Sequence, residues 1–385
     1  MAIAYYTSTI VQATTIADLG AGANAAVYVA EGVFLGVTNN FSGVLHGGGA
    51  HQTFTIAGSV NALDANTVFA GGDGSIVKVL ASGHVTNSDF TNSAALNLGV
   101  GTGTSHLFND GEIAGGSGVY TSRNSSIVNT GTIAGTGLDS DSKGILIASG
   151  LGETVDIVNS GTITAVGTDA IGFNTGTSDG SVAVNNSGQV IGRIDLGGAG
   201  DSSIVNTGMI DGDVILSDLG GSYIGRHGGA VNGTVWGGFS ADRLVGSGAD
   251  DNFNGGNDDD ILRGRRGDDT LTGGDGNDVI RGGRGDDTIE GGAGRDVMRG
   301  GFDADTFVFS NVTDSGKGGG ADRIYGFSLK QDLIDLSGFG GTASVSFAHR
   351  GFGTLVRVDA DGDGTVDFHI KVMGVDHLTQ DHFIL

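Results

Sequence analysis

Two patterns of apolar and polar positions divide the chain. Over residues 1–236, short alternating runs stand between turn residues: Val27-Tyr-Val29, Thr53-Phe-Thr-Ile56, Ile76-Val-Lys-Val79 and Val155-Asp-Ile-Val158. Alternation with period two, rich in β-branched residues, predicts short strands, and no helical period is sustained anywhere. Within this stretch an apolar-Asn-x-Gly-x-Ile/Val unit recurs. Its copies are Asn109-Asp-Gly111-Glu-Ile113, Asn129-Thr-Gly131-Thr-Ile133, Asn159-Ser-Gly161-Thr-Ile163, Asn186-Ser-Gly188-Gln-Val190 and Asn206-Thr-Gly208-Met-Ile210. Weaker relatives lie at Ala57-Gly58, Ser82-Gly83 and Asn232-Gly233. The glycine spacing suits one coil of a parallel β-helix per unit. In this reading Asn-x-Gly makes a corner that uses positive φ, and the Ile or Val stacks inward on its equivalent in the next coil.

From Gly237 to Val308 the period changes to nine. The best copies are Gly273-Gly-Asp-Gly-Asn-Asp278-Val-Ile280-Arg, Gly282-Gly-Arg-Gly-Asp-Asp287-Thr-Ile289-Glu and Gly291-Gly-Ala-Gly-Arg-Asp296-Val-Met298-Arg. The glycine half predicts a turn and the second half a short strand, so two units make one coil. Residues eighteen apart then stack, which places Asp242, Asp260, Asp278 and Asp296 on one edge and Asp251, Asp269, Asp287 and Asp305 on the other. Leu244, Phe253, Leu262, Leu271, Ile280, Ile289, Met298 and Phe307 should point inward. The expected fold is all-β: a parallel β-helix at 1–236, a parallel β-roll at 237–308 and a β-rich cap at 309–385.

Charge gives the nonapeptide block its chemistry. The chain carries 44 acidic against 19 basic residues, a formal net charge of −25, and no cysteine. That balance argues against nucleic acid and anionic membranes as partners, and the missing thiols exclude disulfides and thiolate metal sites. Fifteen aspartates fall within 237–308. Carboxylates stacked on glycine-rich turns, with backbone carbonyls between them, make all-oxygen cages that suit Ca²⁺. The expected ligands are the eight aspartates above, with Gly264, Gly267, Gly273, Gly274, Gly276, Gly282, Gly283, Gly285, Gly291, Gly292 and Gly294 shaping the turns. Ser240, Ala249, Asp258 and Asp303 replace the fourth-position glycine and Arg265 a second-position glycine, which leaves the early copies least regular.

These repeats resemble those of the repeats-in-toxin (RTX) proteins, and the Asn-x-Gly units resemble β-helical repeats of bacterial surface adhesins and autotransporters. The RTX resemblance implies several bound calcium ions and folding outside the cell. Asp322-Arg-Ile-Tyr-Gly-Phe327 and Asp332-Leu-Ile-Asp335 look like the cap that ends many such proteins, and Asp381-His-Phe-Ile-Leu385 resembles a type I secretion terminus. The first residues lack a basic, long-apolar signal sequence, so export by the type I machinery without a cleaved N-terminal signal is the expectation. Asp359-Ala-Asp361-Gly-Asp363-Gly-Thr-Val-Asp367 resembles an EF-hand loop, but Ile370 stands where the bidentate Glu belongs. The flanks read as strands, which favours a hairpin, with an extra calcium site as the alternative.

No catalytic residues emerge. Gly176-Thr-Ser178-Asp-Gly180 spells a nucleophile elbow but precedes a strand-like run, so a glycine-rich turn is expected. His46 and His51 are expected in a loop. Residues 1–236 hold only Lys78, Arg123, Lys143, Arg193 and Arg226 as Lys or Arg, thin for a polyanion cleft. The expected role is a secreted, calcium-binding structural or adhesive protein of a bacterial surface or matrix. It would self-assemble into a homo-oligomer or polymer, such as a surface layer, contact a cell-surface polysaccharide and insert in no membrane. A β-helical polysaccharide lyase or epimerase is the alternative.

Overall fold

A computed structural model describes residues 3–7, 10–12, 17–18, 25–37, 44–47, 50–62, 66–88, 93–98, 103–122, 124–138, 142–148, 153–173 and 180–385. Among the described residues nearly every element is a strand, and only three single turns of 3-10 helix interrupt them. The chain forms two compact units, Met1–Ile215 and Leu216–Leu385.

In the first unit each coil contributes up to three short strands, and each pairs in parallel with its counterpart one coil on. Ile76–Val79 pairs with Ser105–Asn109, His84–Asn87 with Glu112–Gly115, and Ala94–Leu98 with Ser117–Thr121. The predicted aliphatic stack is present: Val60, Val85, Ile113, Ile133, Ile163, Val190 and Ile210 lie in successive register and are fully buried. Leu107, Ile127, Ile157, Val184 and Ile204 form a second buried column. Each buried aliphatic side chain contributes about 1.5–3 kcal/mol, and stacking makes the gain repeat with every coil.

The Asn-x-Gly unit works differently from the expected corner. Asn109, Asn129, Asn159 and Asn186 end strands, are buried, and are absent from the residues with positive φ. Their amides form a ladder: Nδ2 of Asn109 donates to Oδ1 of Asn129 at 2.7 Å, Asn129 to Asn159 at 2.7 Å, Asn159 to Asn186 at 2.8 Å, and Asn186 to Asn206 at 2.9 Å. Where the preceding coils lack an asparagine the ladder stops, and Asn109 Oδ1 is left without a donor. The glycines Gly111, Gly131, Gly161, Gly188 and Gly208 answer to close approach, since a Cβ on any of them would overlap a backbone carbonyl of the previous coil. His46 also departs from expectation: it lies in the strand Leu45–Gly47, its ring stacked on Phe69 at 4.7 Å. The Gly176–Gly180 motif lies outside the described residues, apart from Gly180.

One buried ion cluster interrupts the apolar interior. Lys143 Nζ donates to Asp169 Oδ2 and Arg193 Nε to Asp169 Oδ1, both at 2.6 Å, and Arg193 reaches Asp195 at 3.0 Å. Burial alone would raise the Asp169 pKa, but hydrogen bonds from Arg193 and Lys143 outweigh it and hold the carboxyl below its ordinary value.

In the second unit, parallel strands eighteen residues apart stack in register: Leu244 on Leu262 on Ile280 on Met298, and Phe253 on Leu271 on Ile289 on Phe307. All eight are buried. The strands are longer than predicted. Thr270–Gly276 and Thr288–Gly294 run through the glycine pair and keep ladder register there, leaving a turn of only two or three residues. Glycine permits this because a Cβ on Gly274 or Gly292 would overlap the neighbouring coil's carbonyl. The cap then adds Asp322–Tyr325 and Leu333–Asp335 in parallel. An antiparallel meander of Ser344–Arg350, Gly353–Asp359 and Phe368–Met373 joins the first of these, and Phe383–Ile384 pairs with the second. Covering the last coil in this way pairs backbone groups that an open end would expose.

Candidate metal centre

The two predicted aspartate edges are realised residue for residue. From Asp260 and Asp269 onward, each Asp stands at the turn and receives, on Oδ1, the backbone N–H of the Asp eighteen residues earlier, while Asp242 Oδ1 accepts Gly221 N–H. Asp242 donates to Asp260 at 2.7 Å, Asp260 to Asp278 at 2.7 Å and Asp278 to Asp296 at 2.8 Å. On the other edge Asp251 donates to Asp269 at 2.8 Å, Asp269 to Asp287 at 3.0 Å and Asp287 to Asp305 at 3.2 Å.

The second carboxylate oxygen decides the chemistry. Oδ2 of Asp242, Asp260, Asp269, Asp278, Asp287, Asp296 and Asp305 is buried without a hydrogen-bond partner. It lies over the first glycine of its own repeat, and a Cβ on Gly264, Gly273, Gly282 or Gly291 would overlap it. An orphaned buried carboxylate oxygen is costly unless something satisfies it. The donor set on each edge is oxygen only, which fits a hard cation of the Ca²⁺ type. When bound, calcium supplies the divalent charge that neutralises stacked carboxylates and ties neighbouring turns. These aspartates would hold it, with carbonyls of the glycine turns alongside.

Burial pushes the carboxyls far up: Asp260 and Asp269 to about 8, Asp242, Asp296 and Asp305 to about 7, and Asp278 and Asp287 to about 6. Backbone N–H donors pull each part of the way back. A raised folded-state pKa stabilises the metal-free fold below the unfolded value near 4, and that contribution is lost as pH rises through about 6 to 8. Protons and calcium therefore compete for the same oxygens. Protonation already favours the fold at low pH, and the unfolded carboxyls are ionised above about pH 5, so the calcium midpoint for ordering the roll should rise from about pH 5.5 to about 8 and level off above it, as circular dichroism at fixed pH would record. A pH-independent midpoint would contradict this assignment.

Three departures from the repeat keep the backbone it requires. Asp258, Arg265 and Asp303 replace glycine yet hold φ at 73°, 86° and 79°, which is strained for side-chain-bearing residues. Asp322 belongs to the ladder although its spacing breaks the period: it accepts Asp296 N–H at 2.7 Å, its Oδ2 is buried and unpartnered, and burial raises it to about 8. The surviving signal was Asp-x-Ile, as in Asp322-Arg-Ile324, without the glycines. Asp332 closes the other edge by accepting Asp305 N–H, but Ser328 N–H satisfies its Oδ2 at 2.7 Å.

The EF-hand-like segment is the predicted hairpin, joining Gly353–Asp359 to Phe368–Met373. It brings carboxylate oxygens of Asp359, Asp361 and Asp363 within 4.8 Å of one another. They already accept N–H groups of their own loop, including Gly362 on Asp359 at 2.8 Å and Thr365 on Asp363 at 2.7 Å.

The outer face of one sheet is cationic. Arg263, Arg281 and Arg299 stack in register, and Arg284 lies beside them with its guanidinium 5.5 Å from the centre of the Phe302 ring. A recess of about 370 Å³ opens between Arg281, Arg299 and Phe302, floored by Gly283 and Gly301.

Residues 236–271 and 272–307 each match the RTX calcium-binding nonapeptide repeat (4 copies). No curated protein matches the chain. Among solved structures, the AlgE6R2 subunit of the Azotobacter vinelandii mannuronan C5-epimerase is 30% identical, with 34% of this chain and 91% of that one covered, at a TM-score of 0.28. The AlgE6R3 subunit of the same epimerase is also 30% identical, covering 38% and 78%, at a TM-score of 0.21. The repeats bind several Ca²⁺ ions.

Proposed function

We propose, on the premise that residues 236–307 belong to the RTX calcium-binding repeat family, that this protein is a secreted structural or adhesive protein of the bacterial surface or matrix. It works in three parts, a β-helix at 1–236, a calcium roll at 237–308 and a cap at 309–385, and leaves the cell through the type I machinery before calcium orders it. The observation that carries the reading is the column of buried, orphaned Oδ2 atoms, which ties order in the roll to extracellular calcium. Among the described residues no helix is long and apolar enough to cross a membrane.

The cations favour adhesion over catalysis. Two of the few in the first unit, Lys143 and Arg193, are bound to Asp169. The exposed arginine rows lie on the roll, and guanidinium groups beside the Phe302 ring suit the carboxylates and apolar ring faces of an acidic polysaccharide. Assembly into a homopolymer is part of the same reading.

Electron microscopy of the full chain in millimolar calcium and in chelator tests it, alongside incubation with alginate and pectate. Ordered polymers or retention on the polysaccharide, both lost in chelator, are expected. Monodisperse chains that release unsaturated uronides or epimerise the polymer would overturn it in favour of a lyase or epimerase.

A further inference from the structure

One joint of the ladder is built unlike the rest. The second residue of the repeat has positive φ at Gly238, Gly256, Arg265, Gly274, Gly283, Gly292 and Gly301, whereas Ser247, the second residue of the Asp251 repeat, does not. With the chain in the ordinary region there, the Ser247 N–H turns inward and donates to Asp251 Oδ2 at 2.8 Å. That oxygen is the one left orphaned in Asp269, Asp287 and Asp305 on the same edge.

The carbonyl side of the joint is also taken. Arg265, one coil further on, holds a glycine backbone at φ 86°. Its Nη1 donates to the carbonyls of Gly246 at 3.0 Å and Gly225 at 2.9 Å. Gly246 opens the Asp251 repeat, and Gly225 lies beside it one coil earlier, next to the Ile224–Val245 pair.

We infer that the Arg265 guanidinium is the built-in cation of the Asp251 joint, and that this joint takes no calcium. A guanidinium is always charged and offers several donors in a fixed plane, so it can satisfy convergent carbonyls as a hard cation would. A divalent ion entering here would have to displace both the guanidinium and the Ser247 N–H, and would meet positive charge as it approached. Asp251 thus differs from the other seven aspartates of the two edges: its Oδ2, orphaned in all of them, has a donor within the chain itself. The inference rests on the calcium reading of the remaining copies.

Native mass spectrometry of the full chain, titrated with calcium alone, counts the ions. Asp251→Asn should bind as many ions as the parent, with an unchanged ordering midpoint by circular dichroism, whereas Asp287→Asn should bind fewer. Ser247→Gly combined with Arg265→Gly, which restores the regular repeat, should gain one ion. Loss of an ion in Asp251→Asn would overturn the inference, as would an unchanged count in the double variant when it folds in excess calcium. If the double variant fails to fold, Asp251→Asn still decides. A parent chain that binds no calcium would instead bring down the calcium reading itself.

Discussion

Chelating calcium from the full-length protein is expected to abolish the ordered β signal of residues 237–308 while leaving the first unit folded. Ordering a residue costs about 1–2 kcal/mol of backbone entropy, and glycine sits at the upper end. Against this the roll buries one apolar side chain per nine residues, Leu244 through Phe307. It also buries a column of carboxylates without partners. Each ion that binds only the folded form adds about 2.7 kcal/mol at a concentration one hundred times its dissociation constant, so several together match the stability of a whole domain. The transition should be cooperative and fall at roughly 10⁻⁴–10⁻³ M calcium, the range of extracellular modules. Circular dichroism during a titration measures it, and a β spectrum indifferent to excess chelator would refute the assignment. In the first unit, amide exchange at Ile133, Ile163 and Val190 should not respond to calcium, because none of its described residues holds a buried carboxylate oxygen without a partner.

Asp169→Ala should destabilise the first unit by about 3–5 kcal/mol, the range for removing one partner of a buried ion pair. Lys143 is 4% exposed and has its ammonium on Asp169, so the substitution takes a counter-charge from a buried cation. Arg193 is more exposed and keeps Asp195 at 3.0 Å, which limits its share of the loss. Urea denaturation followed by amide exchange in 153–173 and 181–195 would give the value. The double variant Lys143→Met/Asp169→Leu should recover most of the loss, since apolar replacement of a buried pair is often neutral. If the single variant costs less than about 1 kcal/mol, the cluster is solvated and the geometry described above is wrong.

The sequence carried much of this in periodicity. A unit of nine with one apolar residue fixes both the stacking partner, eighteen residues away, and the edge on which each aspartate stands. The Ile or Val after Asn-x-Gly likewise stacks as its recurrence implied. Where periodicity ended, so did legibility: Asp322 joined the ladder at a spacing that no period predicts, because the cap replaces the glycine turn by a longer detour.

Sequence by itself determined the all-β class, the inward columns, the two aspartate edges and calcium as the fitting ion. These follow from local preference repeated at constant spacing, and repetition leaves few ways to stack. Tertiary structure alone decided how each polar atom is satisfied. It turned the asparagines from corner residues into a buried ladder and made the Asn-x-Gly glycines matters of carbonyl clearance. It joined Lys143 and Arg193 on Asp169, and separated Asp251 from its seven counterparts. Such outcomes depend on which donor reaches which acceptor across neighbouring coils, a relation between backbones that sequence spacing does not record.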